Sequence, residues 1–162
     1  MSVSLYLAGA VDFNEKSYYD IIEGLIEDKV PVILFKPGMA FKVKGEVDPK
    51  YLVDINKEAM LRADIVVFYL NASRTCGMWV ESVWALSADK RVIFYVEPGV
   101  RQSLYMRWIA QQANTKWITD IKELGKTLNE WISVIASNER LVDITEEFTL
   151  GDSLNLMGGA VE

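Results

Sequence analysis

Ile65–Leu70 reads IVVFYL and is apolar throughout. A strand that shows one face to water alternates apolar and polar residues. An unbroken apolar run is what a central parallel strand, covered on both faces, requires. Three more runs share this character. Val3–Ala8 (VSLYLA) reads as a buried strand. Val30–Phe35 (VPVILF) reads as a second strand, and Pro31 near its start points to an edge position, because proline gives a sheet no N–H. Val92–Val96 (VIFYV) is stopped by Pro98-Gly99, and Lys116–Ile118 supplies a short last strand.

Helical spacing fills the intervals. Glu15–Glu27 carries Tyr18, Ile21, Ile22 and Leu25 on one face. Pro49 opens a helix that runs to about Arg62, with Leu52, Ile55 and Ala59 on its apolar side. Met78–Asp89 and Ser103–Gln112 read as helices. A last helix has Leu124, Leu128, Trp131 and Ile135 in one stripe. Strands alternating with helices imply right-handed crossovers and a parallel sheet. The expected fold class is α/β: a doubly wound, flavodoxin-like (Rossmann-like) sheet of five strands flanked by helices. One domain over residues 1–140 is expected. A polar, acidic tail over 141–162 would be partly ordered or touch a neighbouring subunit.

At 162 residues, 51% hydrophobic and 25% charged, the chain can bury a core. A net charge of −6 argues against a nucleic-acid polymer as ligand, since phosphate backbones are held by basic surfaces. A small phosphorylated molecule needs only a local anion site. The single cysteine, Cys76, rules out an intrachain disulfide and fits a reducing compartment. MSVSLYLAG does not have the pattern of a signal peptide, and no apolar run reaches membrane-spanning length. The expected location is the cytoplasm. There is no histidine. That removes Ser-His-Asp and Cys-His nucleophiles, His-ligated zinc and imidazole acid–base chemistry, so an enzyme built from this chain works mainly with carboxylates, hydroxyls, tyrosines, lysine or arginine. Neither a metal nor an organic cofactor is expected.

In an open parallel sheet, ligands bind at the carboxyl ends of the strands, near the point where strand order reverses. Four loops lie there: Gly9–Asn14, Lys36–Gly45, Asn71–Gly77 and Glu97–Arg101. Asn71–Gly77 (NASRTCG) opens a helix, and helix N-termini attract anions. Ser73 and Thr75 add hydroxyls there, and Arg74 adds a guanidinium suited to phosphate. Read otherwise, this is a plain turn with a helix cap. Glu81 follows, with Trp84, Ala85 and Ala88 at spacings that place them inward. It therefore projects from an apolar face at the binding edge, unless it merely favours the helix dipole. Tyr6, near Gly9, is either a core aromatic or part of the site. Asp64 starts a strand at the opposite edge and reads as structural. Asp54 and Glu58 form an i,i+4 pair on a solvated face, whereas Asn56 flanks the core face between Leu52 and Met60. Cys76, without a histidine partner, reads as inert. Of the five tryptophans, Trp79 stands nearest a ligand.

Three segments together resemble the nucleoside 2-deoxyribosyltransferase-like superfamily: LYLAGAV (Leu5–Val11), ADIVVFYL (Ala63–Leu70) and GMWVESVWALSADKRVIFYV (Gly77–Val96). The resemblance covers the chain up to about Trp117. It implies that Glu81, four residues after Gly77, is the catalytic carboxylate and that Tyr6 hydrogen-bonds it. It also implies that SLYMRW (Ser103–Trp108) reaches a neighbouring subunit's site, with Ser103 or Tyr105 as donor because Leu104 fills the family's polar position. Three positions depart from the family pattern. Asn56 replaces an aspartate that would act as acid toward the leaving base, leaving an amide to contact it; Asp54 is the less favoured substitute. Thr75 replaces the aspartate that holds a free 5′-hydroxyl in the transferases, and a hydroxyl there suits a 5′-phosphate. Val83 replaces a glycine.

The reading that follows is cleavage of the N-glycosidic bond of a nucleoside 5′-monophosphate, with Glu81 as nucleophile. Tyr6 orients it. Ser73, Arg74, Thr75 and backbone around Gly9 and Gly77 hold the sugar phosphate. A base-exchanging deoxyribosyltransferase is the alternative enzyme, and an inert nucleotide sensor the alternative outside catalysis. The expected partners are a small nucleoside or nucleotide and further copies of the chain, as a homodimer or higher homo-oligomer with composite sites. A nucleic-acid polymer and a membrane are not among them.

Overall fold

The computed structural model describes residues 2–9, 18–37, 48–71, 76–112 and 114–138. Its strands are β1 (Val3–Gly9), β2 (Val32–Phe35), β3 (Ile65–Leu70), β4 (Arg91–Val96) and β5 (Thr115–Ile118). They form one five-stranded sheet in the order β2-β1-β3-β4-β5. Every pairing is parallel. This is the flavodoxin-like order. IVVFYL is β3, at the sheet's centre and buried at every residue. Pro31 stands where expected: β2 is an edge strand, and the Val3 N–H donates to the Pro31 carbonyl at its start.

The helices are α1 (Tyr18–Glu23), α2 (Pro49–Arg62), α3 (Cys76–Ser87), α4 (Leu104–Ile109) and α5, over residues 121–138. The inner strands β1, β3 and β4 are covered on both faces, so two cores form. Leu5, Leu7, Val67, Tyr69 and Ile93 pack with α1 and α5. Tyr6, Ala8, Val66, Phe68 and Phe94 pack with Met60 of α2, Met78 and Ala85 of α3, and Met106 of α4. No described helix is long and apolar enough to cross a membrane.

Several boundaries differ from those read in the sequence. After Glu23 the chain tightens: Leu25 and Ile26 bond back three residues, to Ile22 and Glu23. The first helix therefore ends before Glu27, and Ile21 and Leu25 are only half-buried. α3 stops at Ser87 because Asp89 takes a left-handed φ of 52°. That leaves Ala88 outside the helix and exposed, not packed inward. Ser103 caps α4 from outside it, its Oγ accepting from the Met106 N–H at 3.2 Å. On α5 the buried stripe is Leu124, Leu128, Ile132 and Ala136, with Trp131 and Ile135 on its flank. Residues 141–162, read as an acidic tail, lie outside the described residues.

Candidate active site

From β1 the chain turns to β2 on one side and then to β3 on the other. The carboxyl ends of β1 and β3 therefore flank the point where strand order reverses, and a crevice belongs there. Strand alternation sends Tyr6 to the face covered by α2 and α3, between Leu5 and Leu7, which point to the other face. Tyr6 is completely buried. α3 begins just beyond β3 and runs back over the sheet. Its buried residues Met78, Ser82 and Ala85 define the inward stripe, and Glu81 stands on that stripe's flank, half-buried.

The two side chains meet. Tyr6 donates its phenolic hydrogen to Glu81 Oε1 at 2.7 Å. Burial pushes the Glu81 carboxyl above the ordinary carboxylate range, while the Tyr6 hydrogen bond pulls it partly back. Burial, and then the neighbouring charge and hydrogen bond of Glu81, drive the Tyr6 phenol far above its usual value. Tyr6 therefore stays protonated and acts only as a donor. Glu81 Oε2 is engaged by no hydrogen bond among the described residues. The result is a poorly solvated, basic carboxylate oxygen, held in orientation through its twin. Such a group can attack an electrophilic carbon or stabilise a developing cation.

Gly9 ends β1 beneath an aromatic ring. A Cβ there would stand 2.8 Å from Tyr18 Cζ and 3.0 Å from the Tyr69 carbonyl oxygen, so only glycine fits. The Tyr18 hydroxyl donates to the Leu7 carbonyl at 3.1 Å, and its ring stacks on Tyr69 at 5.3 Å. Gly9 thus has a steric role in addition to the expected place beside a ligand. Gly77 is the opposite case: a Cβ there would meet nothing within 4 Å. Packing does not require glycine at that position, and the backbone of the first turn of α3 stands open.

Asn56 is half-buried on α2, in keeping with its place beside the core face. Asp54 is exposed and pairs with Lys50 at 2.9 Å, and Glu58 pairs with Arg62. Each carboxylate thus faces a cation four residues away on a solvated face. α2 and α3 are tied together by Lys57, whose ammonium lies 5.2 Å from the centre of the Trp84 ring. Trp79 turns toward α4, its ring edge-on to Tyr105 at 6.1 Å. The structure therefore groups Trp79 with Tyr105 and Ser103, and Tyr6 with Glu81. Asp64 accepts from the Ser4 N–H at 2.8 Å and from its hydroxyl at 2.6 Å, a structural clasp at the far edge of the sheet. Ser73, Arg74 and Thr75 lie outside the described residues. Among the described residues, no cluster of three or more acidic or cysteine side chains could hold a metal ion.

Two features of the site have no direct signal in the sequence. Tyr18 was placed on a core face, but its partnership with Gly9 was not seen; the signal is that Gly9 shares its strand face with Leu5 and Leu7. The other is a second phenol–carboxylate bond, from Tyr69 to Glu97 Oε1 at 2.6 Å. Glu97 directly follows β4, inside a loop the binding-edge rule had already marked.

No protein-family model matches the chain, and no curated protein matches it. Among solved structures it is similar to the Clostridium botulinum CMP N-glycosidase BcmB, with a TM-score of 0.56 and 17% identity, over 79% of this chain and 98% of that one. At that identity the likeness speaks for the fold. The five-stranded parallel α/β fold of this chain is therefore similar to that of the CMP N-glycosidase.

Proposed function

We propose that the chain cleaves the N-glycosidic bond of a nucleoside 5′-monophosphate, giving free base and sugar phosphate. The observation that carries this reading is the Tyr6–Glu81 bond of 2.7 Å at the strand-order reversal. Glu81 Oε2 attacks C1′ as the C1′–N bond breaks, through an oxocarbenium-like state, and the bonding pair leaves with the base. Water then attacks C1′ of the glycosyl ester. It delivers its hydroxyl to the sugar and its proton to the departing base, and Glu81 returns as a carboxylate. Tyr6 holds the nucleophile in place throughout. Asn56 contacts the base as a hydrogen-bonding amide and gives up no proton. Ser73, Arg74, Thr75 and the open backbone at Gly77 receive the phosphate. The neighbouring fold of a CMP N-glycosidase supports a nucleotide over a free nucleoside.

The working form is a homo-oligomer. Leu104, Tyr105 and Trp108 are 81%, 74% and 63% exposed, a cluster of large apolar side chains that a second copy would cover. Light scattering at micromolar concentration tests this, and a monomer ends it. The reaction itself is tested by incubating the protein with ribo- and deoxyribonucleoside monophosphates and separating the products. Base and sugar phosphate should appear without any added acceptor base, faster than from the matching nucleosides. Release that needs an acceptor base identifies a transferase. No release from any of them identifies a binding protein.

A further inference from the structure

The β1–β2 ladder ends at the Tyr6–Phe35 pair, whereas the β1–β3 ladder runs on to Gly9 and Tyr69. Leu7, Ala8 and Gly9 therefore have a strand on one side only. The odd residues of β1 turn their N–H and C=O groups toward β2: Val3 donates to Pro31, while the Ser4 carbonyl accepts from Asp64 on the β3 side. The Leu7 carbonyl thus faces the side where β2 has run out. An unpaired carbonyl in a buried strand is costly. The Tyr18 hydroxyl takes it, donating at 3.1 Å. The same ring lies so close over Gly9 that a Cβ there would stand 2.8 Å from its Cζ. Tyr18 is buried and stacks on Tyr69. A side chain of α1 thereby stands in for the missing strand at the ligand edge.

Tyr18 packs on the face of the sheet opposite the one that holds Tyr6 and α3. It therefore acts on the site through the backbone of β1 and does not touch substrate. Leu7, whose carbonyl it holds, directly follows Tyr6. We propose that Tyr18 is a positioning residue: by pinning the free side of β1 at Leu7 and Gly9, it keeps the Tyr6 phenol seated on Glu81 Oε1. The inference rests on the proposed function for its kinetic readout alone. The Tyr6 bond of 2.7 Å is the one hydrogen bond that restrains the carboxylate among the described residues. Slack of an ångström at a reacting group can cost about 100-fold in rate.

The test reads the Glu81 pKa directly, by carbon NMR of protein labelled at its glutamate carboxyls, with Glu81→Gln identifying the signal. The titratable groups on the Glu81 side are Tyr6 of β1, with Tyr18 and Tyr19 of α1 behind it. Lys57 of α2 is turned to Trp84, and Tyr105 of α4 to Trp79. Tyr6 lowers the Glu81 pKa through its hydrogen bond. Tyr18→Phe keeps the ring and drops the bond to Leu7. It should raise the Glu81 pKa, as a slackened Tyr6 bond requires, and leave it unmoved in a Tyr6→Phe background. Gly9→Ala, which pushes the Tyr18 ring off the strand and keeps every phenol, should raise it as well. Tyr69→Phe also removes a buried phenol bond, and should lower Tm without moving the Glu81 pKa. In nucleotide hydrolysis, Tyr18→Phe should lower kcat about tenfold with KM unchanged. A Glu81 pKa that stays in place in Tyr18→Phe overturns the inference. An equal rise with and without the Tyr6 hydroxyl also overturns it, because Tyr18 then acts on Glu81 without Tyr6. A wild-type protein that hydrolyses no nucleotide removes only the kinetic readout, and the pKa result still decides.

Discussion

Two tyrosine–carboxylate pairs stand at the carboxyl edge of one sheet, with almost the same hydrogen bond and different surroundings. Tyr6–Glu81 spans 2.7 Å on the face covered by α2 and α3. Tyr69–Glu97 spans 2.6 Å, and its phenol ring lies on the other face, between Tyr18 and Tyr95. In the first pair the carboxylate comes from a helix packed on the sheet, and burial raises its pKa. In the second it comes from the residue after β4 and lines a cavity. A phenol donor by itself does not make a nucleophile. It fixes a carboxylate, and the surroundings decide how far that carboxylate is desolvated.

The sharpest way to break this comparison is Glu81→Gln. The amide keeps shape and hydrogen bonding and loses nucleophilicity, so hydrolysis should fall about 10⁴-fold or more. Nucleotide turnover near the wild-type rate would remove Glu81 from the chemistry. Tyr6→Phe should have the next largest effect, about 10- to 100-fold in kcat. Glu81 must be ionised to attack, so activity is lost as pH falls through its raised pKa. Without the Tyr6 bond, which favours the carboxylate, that pKa rises further. The acid limb of the kcat profile should therefore move to higher pH in Tyr6→Phe and stay in place in Tyr69→Phe. Equal shifts in both variants would erase the distinction between the pairs.

Smaller effects concern stability. Gly9→Ala drives a methyl into the Tyr18 ring, which overpacks the edge by about 1–3 kcal/mol and lowers Tm by several degrees. An unchanged Tm would mean that Tyr18 moves aside freely. The smallest effect has the opposite sign. A carboxyl whose folded pKa is raised stabilises the fold at low pH, and that contribution is lost as pH rises through the folded value. At neutral pH the ionised Glu81 is a burden, so Glu81→Gln should raise Tm by roughly 2–4 °C, the shift about 1 kcal/mol produces in a chain of this size. A scan at pH 7.5 and another near pH 4, where the gain should shrink, check the sign.

The strands were legible because a doubly covered sheet leaves no polar face: IVVFYL could be little else. Glu81 was only half legible from its position, since a carboxylate in the first turns of a helix at the binding edge equally suits the helix dipole. The spacing from Gly77, which resembles that of the nucleoside 2-deoxyribosyltransferase-like superfamily, was what singled it out. The Tyr69–Glu97 bond and the Gly9–Tyr18 contact were not legible. Both depend on which residues of different strands and helices come level: Gly9 lies opposite Tyr69 in the β1–β3 register, a fact no single strand's pattern contains. Ala88 was misplaced for a local reason, since the left-handed turn at Asp89 ends the helix before the apolar spacing does.

The central claim is that Glu81 bonds covalently to C1′. A 2′-deoxy-2′-fluoro-arabino nucleoside monophosphate slows release of such an intermediate more than its formation, because fluorine destabilises the oxocarbenium-like state and a good leaving base keeps the first step moving. The protein is incubated with this compound, digested, and the peptides are weighed and sequenced by mass spectrometry. A fluoro-sugar phosphate is expected on the peptide containing Glu81, located on that side chain, with no addition in Glu81→Gln. An adduct on another residue, or wild-type turnover of natural nucleotides with Glu81 unmodified, would contradict it.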